Sequence, residues 1–492
     1  MSKGLIAGVA SQLLMTVISM VGNIILSGLV VRWLSPFDAG IWFTYLGVIV
    51  LFSFCDFGFS AALSREIALS SYKTNLKYRI ENLYSCTTRV LSVLLILAII
   101  VAIIFYLIVL RKYAKTGDGV LLSYVIFCIG FLFRLSANAP LSVVAGLKKV
   151  ALQTNMIALS MLVAFILSFL SLLFQFGMSG LAVSYALSYA FLYFTAKFYV
   201  AYVLKLHSNR KFLVLVFKRL FGVSASWSMM NIGAIAVLQI PSFIIVSMLG
   251  PVFLTPFVLV RQLCSSILSL SNIIGNTAMP FLSYEVGKKN VEQEAVFFRH
   301  VVKYSTGIAV FLAIFMYFSH QQIADIWLGD GRSFNLEILI VMFIAIVFEA
   351  HHVSITKVCI ASGYVKFARI ALLAGIAVTA FSFLFITLFG LVGAAYAVLL
   401  GQILTNNWFA LYVALRYLNI GWTDYKNVLS SLVVIAVSQL LIQLLIISIY
   451  QGRPLAFIFV DVLVSGVLFL ATFMCFKSDR DLVKPIVEKL LN

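Results

Sequence analysis

Apolar runs of about 20 residues or more, each long enough to cross roughly 30 Å of hydrocarbon, recur from end to end of this chain. A soluble protein of 492 residues needs far more charge than this one carries. With 63% hydrophobic and 11% charged residues, the solvent of most side chains must be lipid. The expected fold class is therefore all-α, a polytopic membrane protein with about 14 transmembrane helices. The spans fall near 5–31, 40–63, 87–110, 120–146, 155–176, 180–204, 222–249, 253–280, 303–326, 336–361, 368–389, 391–415, 427–450 and 454–476. The first run opens after Lys3 and lacks a small-residue cleavage site before a soluble domain, so it reads as a retained span.

A formal net charge of +18 would suit nucleic acid, but its placement argues otherwise. Arg32, Arg111, Lys112, Lys115, Arg332 and Arg453 fall on one side of the membrane, and Arg134, Lys197, Arg261 and Lys357 fall inside spans. Taking those ten from the 35 Lys and Arg leaves 25 on the opposite side. This positive-inside bias makes that side cytoplasmic and places both termini there. No N-x-S/T sequon occurs, which fits a bacterial origin, and a bacterial inner membrane is the expected location. The basic excess orients the chain and meets anionic headgroups, so membrane lipids are partners and nucleic acid is not. Six scattered cysteines form no CxxC pair, which argues against a disulfide frame or a zinc site.

Two halves of the chain look related. Ala145-Gly146 with Lys149 and Ala151 matches Ala361, Gly363, Lys366 and Ala368. Gly177-Met-Ser-Gly180-Leu-Ala182 matches Gly390-Leu-Val-Gly393-Ala-Ala395, and Leu34-Ser-Pro36 matches Leu249-Gly-Pro251. Three matches in order at nearly constant offset imply a duplicated six-span unit. The expected organisation is a six-helix bundle at 1–204, a cytoplasmic amphipathic linker at 205–221 and a second bundle at 222–416. Additional helices 13 and 14 at 427–476 and a cytoplasmic tail at 477–492 complete it. Two six-span copies share one orientation and are expected to be pseudo-symmetric, with a site between them near the midplane.

Arg32-Trp-Leu-Ser-Pro-Phe-Asp38-Ala-Gly40-Ile-Trp42 after the first span resembles a signature of polysaccharide (O-antigen-type) flippases. So do Asp56-Phe-Gly58-Phe-Ser60 with Arg65, and Gly-x-x-Gly-x-Ala opening spans six and twelve. These flippases belong to the multidrug/oligosaccharidyl-lipid/polysaccharide exporter superfamily. The resemblance implies movement of a polyprenyl-pyrophosphate-linked glycan from the cytoplasmic to the outer leaflet. It also implies a monomer working beside a polysaccharide polymerase and glycosyltransferases. One departure is that Asp38 and Asp56 lack acidic counterparts in the second half.

An ionisable residue near the bilayer centre costs about 2.5 kcal/mol or more, so it needs a partner or water. Arg134 stands mid-span with Asn138 one turn on, and the repeat offset carries Arg134 onto His351. Arg261 heads a stripe with Ser265, Asn272 and Asn276. Helix one carries Gln12, Thr16, Ser19 and Asn23 at helical spacing, and helix seven carries Ser224, Ser228 and Asn231. Lys197 and Lys357 lie nearer the cytoplasmic ends, where they either join the site or snorkel. Guanidinium groups suit a pyrophosphate because their planar fork meets phosphate oxygens two at a time. Serines and threonines in spans more often bond backbone carbonyls or pack helices closely.

No phosphate-binding G-x-x-x-x-G-K-[ST] loop occurs, so an ion gradient is the expected energy source, with H+ or Na+ as the coupling cation and no cofactor. Glu349 shares a helical face with His352 and Thr356 and could exchange a proton, or else pair with Arg134. Asp56 could accept a cation with Ser60. A drug or small-molecule antiporter on the same scaffold is the competing reading and wants a carboxylate-lined cleft. A membrane glycosyltransferase would need larger external loops than these, so no enzyme is expected.

Overall fold

The computed structural model describes residues 3–70, 75–114, 119–208, 213–287, 291–329, 331–362, 364, 367–418, 421–449 and 464–467. These residues form helices and connections, with no strand among them. Among the described residues, ten helices are long and apolar enough to cross a membrane, and two shorter apolar ones cover Pro36–Phe52 and Ile232–Met248. The expected last span, 454–476, lies outside the described residues except for 464–467, and so do Asp461 and Cys475.

By contacts the chain divides into two units, which group what packs together rather than what is related by repeat. The first is Met1–Val258 with Ala371–Ala394, and the second is Leu259–Ile370 with Ala395–Asn492. In the first, α1 (Lys3–Trp33) is followed by α2 (Pro36–Ser53) and α3 (Phe59–Ser70). Then come α4 (Leu76–Phe105), α5 (Val120–Gly146), α6 (Val150–Leu173), α7 (Gly177–Phe198) and α8 (Val214–Met248). The second contains most of α9 (Leu254–Gly287), then α10 (Val291–Phe318), α11 (His320–Leu328) and α12 (Leu336–Ala361). Further along, α13 (Ala368–Phe389) packs in the first unit; α14 (Leu391–Gln402), α15 (Trp408–Tyr417) and α16 (Trp422–Ile449) lie largely in the second.

The helices of the first unit approach closely where glycine removes the side chain. A Cβ at Gly130 of α5 would lie 2.4 Å from the Cα of Ala186 in α7, and one at Gly233 of α8 would lie 2.1 Å from the carbonyl oxygen of Ala371 in α13. In lipid, where no hydrophobic drive pulls apolar helices together, such small-residue contacts supply the dispersion energy that does. The Leu-x-Pro repeats also meet each other: α2 starts at Pro36, a 3-10 turn starts at Pro251, and Gly40 rests on the Pro251 backbone. Beside them the Tyr113 hydroxyl donates to the Val246 carbonyl at 2.6 Å, and Lys112 Nζ donates to the Ser247 carbonyl at 2.6 Å.

Two expectations about continuity change. The second span, expected unbroken over 40–63, is interrupted by a 3-10 turn at Phe54–Asp56. Phe57 (φ 44°) and Gly58 (φ 71°) then adopt left-handed backbone before α3 begins. The sequence hides this break because both flanks are apolar. The end of the 205–221 linker, expected to lie as its own amphipathic helix, is instead the first two turns of α8. There Arg219 Nε reaches the Glu66 carboxylate at 2.7 Å, so the basic face of this segment is held by an acid of α3 rather than by headgroups alone.

Candidate functional site

Asp56 sits in the break between α2 and α3. Its Oδ2 accepts from the backbone N–H of Ser60 at 3.3 Å and its Oδ1 from the Ser60 hydroxyl at 2.7 Å. A helix start leaves unsatisfied N–H donors, and this carboxylate takes one of them. Asn138 of α5 lies within electrostatic reach of Asp56, and its side-chain oxygen accepts from Arg134 Nη1 at 2.7 Å. The amide expected to face the cargo is thus tied to the neighbouring cation. Asp56→Ala should destabilise the protein by about 1 kcal/mol for the lost helix-start bond, seen as a lower thermal midpoint in detergent. Asp56→Asn keeps an acceptor and should lose less; equal midpoints for wild type and Asp56→Ala would refute this role.

Arg134 is deep in its unit, yet part of its surface is accessible. Its guanidinium has five N–H donors, and the bond to Asn138 is its one hydrogen bond among the described residues. Many protein atoms surround the guanidinium, and part of the residue stays accessible. Tyr185 and Tyr189 of α7 share this condition, and Tyr189 lies within electrostatic reach of Arg134. The close α5–α7 contact at Gly130 and Ala186, one turn away from both residues, produces that proximity. Pro140 follows on α5, and its missing N–H deprives the Ser136 carbonyl of its helix bond and loosens the helix beside Asn138.

In the second unit, Arg261 is likewise deep and partly accessible. Ser265, expected in its wet stripe, turns back on its own helix and donates to the Arg261 carbonyl, as Ser269 does to that of Ser265. Ser228 does the same toward Ser224 on α8. Lys357 Nζ donates to Oδ1 of Asn272 at 2.8 Å and to its carbonyl at 3.3 Å. Gly275 leaves room for that lysine, since a Cβ there would stand 2.9 Å from Lys357 Cδ. Asn276 is exposed.

Glu349 of α12 accepts from Gln402 Nε2 at 3.4 Å. Gln402 precedes a π-helical turn, Ile403–Asn407, between α14 and α15. Both amide atoms of buried Asn407, the Gln402 carbonyl oxygen and His352 Nδ1 have no hydrogen-bond partner among the described residues. Single π turns favour functional positions because they expose backbone groups and re-aim side chains. Gln402 and Asn407 escaped the sequence reading; the Thr405-Asn406-Asn407 run within an apolar span was the available signal.

The remaining candidates scatter. His351 is buried, its Nε2 is 3.1 Å from the Tyr425 hydroxyl of α16, and it packs as a core residue rather than as a counterpart to Arg134. Lys197 is exposed on α7 and donates to the Tyr193 hydroxyl at 3.1 Å. Asn23 is exposed on α1. The side chains of Gln12 and Asn231 lie outside the described ones.

Comparison with known proteins follows the same lines. The MatE family model matches residues 228–386, from within α8 to within α13. No curated protein matches the chain significantly. Among solved structures, the chain is similar to the lipid II flippase MurJ in an inward closed conformation, with 14% identity and a TM-score of 0.74 over 97% of this chain and 100% of that one. It is also similar to an inward-facing multidrug resistance MATE family transporter of the MOP superfamily, with 14% identity and a TM-score of 0.63 over 86% of this chain and 98% of that one. A MOP superfamily transporter from Pyrococcus furiosus, whose structure is described by a reversed polarity of its binding pocket, gives 15% identity and a TM-score of 0.56 over 88% and 99%. The chain therefore has the all-helical, multi-pass fold of MOP-superfamily transporters.

Proposed function

We propose that this protein translocates a polyprenyl-pyrophosphate-linked oligosaccharide from the cytoplasmic to the outer leaflet of a bacterial inner membrane by alternating access, with both termini cytoplasmic. The observation that carries this reading is Arg134, deep, partly accessible, and holding guanidinium donors unspent after its bond to Asn138. A pyrophosphate entering such a place exchanges its hydration for charge-assisted bonds, which are about twice as strong as neutral ones. Arg261 adds a second deep cation. The polyprenyl tail stays in lipid throughout, so only the charged and sugar-bearing head needs a hydrated route.

Glu349, with His352, Gln402 and Asn407 beside it, is the proposed place of ion coupling. Asp56 is the weaker candidate, because Ser60 already bonds both of its oxygens. The competing reading, a small-molecule antiporter, is supported by the match of residues 228–386 to the MatE family model and by these same buried acids.

Proteoliposomes separate the two. A fluorescent polyprenyl-pyrophosphate glycan should become accessible to a membrane-impermeant quencher on the far leaflet only when the protein is present. Organic cation dyes should not be moved. Dye transport with an immobile lipid-linked probe would overturn the proposal in favour of the antiporter.

A further inference from the structure

Helix α7 is absent from the ten most apolar spans although it is helical over Gly177–Phe198. Part of the reason is Tyr185, Tyr189 and Tyr193, which recur every fourth residue and are followed at the same spacing by Lys197. Such a row advances about 6 Å and turns roughly 40° at each step. The exposed Val183, Leu187, Phe194 and Phe198 mark the opposite, lipid-facing side of the helix. The row therefore winds from the interior at Tyr185 toward the rim at Lys197.

The rings are held rather than loose. Tyr185 stands edge-to-face with Trp42 at 5.2 Å and with Tyr189 at 5.9 Å, and Tyr193 packs on Phe133 at 5.9 Å. Lys197 Nζ lies 5.3 Å from the centre of the Tyr193 ring. Yet Tyr185 and Tyr189 make no hydrogen bond through their hydroxyls among the described residues, and neither hydroxyl is sealed from the accessible space. Core tyrosines usually find a partner for the hydroxyl; Tyr45 and Tyr124, buried in the same unit, both donate to backbone carbonyls. The α7 row is thus pre-ordered and amphipathic, with the Tyr185 and Tyr189 hydroxyls unsatisfied and Tyr189 beside a guanidinium.

We infer that Tyr185, Tyr189 and Tyr193, with Lys197 at the outer end, form a track for the sugar rings of the cargo. This inference rests on the reading of the protein as a carrier of lipid-linked glycans and names the part of the site that reads the glycan. Pyranose rings offer apolar C–H faces to aromatic rings and hydroxyls to the free phenol oxygens. Tyr189 lies within electrostatic reach of Arg134, so a pyrophosphate held there places its first sugar against that ring.

Two probes test it on the detergent-purified full chain: a polyprenyl pyrophosphate bearing a tetrasaccharide, and the same lipid without sugar. The wild type should bind the glycosylated probe about 10-fold more tightly, as two aromatic contacts would give. A Tyr185→Leu/Tyr189→Leu variant should lose that preference and keep its affinity for the sugar-free probe, while Tyr189→Phe, which keeps the ring, should retain most of it. Should the double variant not accumulate, Tyr189→Leu alone must reduce the preference. Persistence of the full preference in the leucine variants, or equal weakening for both probes, would overturn the track and leave the carrier reading intact. Binding of neither probe by the wild type would overturn the carrier reading itself, and the track with it.

Discussion

Arg134→Ala should cut translocation of a pyrophosphate-linked glycan by about 100-fold while the protein stays folded and abundant. The magnitude follows from removing one partner of a desolvated ionic contact, roughly 3 kcal/mol or more, at 1.4 kcal/mol per factor of ten. Folding should survive because Asp56 keeps both bonds from Ser60 and the one hydrogen bond lost among the described residues is that to Asn138. Arg134→Lys should retain charge but lose the planar fork, and so recover only part of the rate. Adding Arg261→Ala should remove what activity remains. Initial rates in proteoliposomes, normalised to folded protein by size-exclusion profile, check this; full activity in the double alanine variant would end the proposal that these cations hold the cargo.

The second large effect concerns stability. A Cβ at Gly40 would sit 1.9 Å from the carbonyl oxygen and 2.4 Å from the carbonyl carbon of Pro251, both backbone atoms that no rotamer change can move. Gly40→Ala should therefore destabilise at or beyond the upper end of the roughly 1–3 kcal/mol seen for overpacking, and Gly40→Val should prevent accumulation. Gly222→Ala is the control, since its Cβ would meet nothing within 4 Å. Thermal unfolding in detergent and the yield of monodisperse protein read both. An unchanged midpoint for Gly40→Ala would mean that the two Leu-x-Pro turns are not packed as described.

Much of the architecture was legible because hydrocarbon imposes a simple rule: a segment that crosses must be long and apolar, and composition alone reveals that. Ionisable residues inside such runs stand out for the same reason, which is how Arg134, Arg261, Glu349 and Asp56 were found. What those residues touch was not legible. Asn138, read as a cargo ligand, accepts a bond from Arg134, and the exposed Ser265 bonds its own helix. His351 fell at the repeat position of Arg134, yet it meets Tyr425 of α16, a helix the repeat does not contain.

By itself the sequence determined that the chain lives in lipid, how its spans are ordered and which charges they bury, since each follows from local transfer free energy. Only the tertiary structure decided that the second span breaks at Asp56, that Gly40 rests on Pro251, and that Arg134 keeps donors free beside a row of tyrosines. Those outcomes depend on contacts between residues far apart in the chain, where a neighbour's atoms, and not a residue's own polarity, fix which hydrogen bonds are already taken.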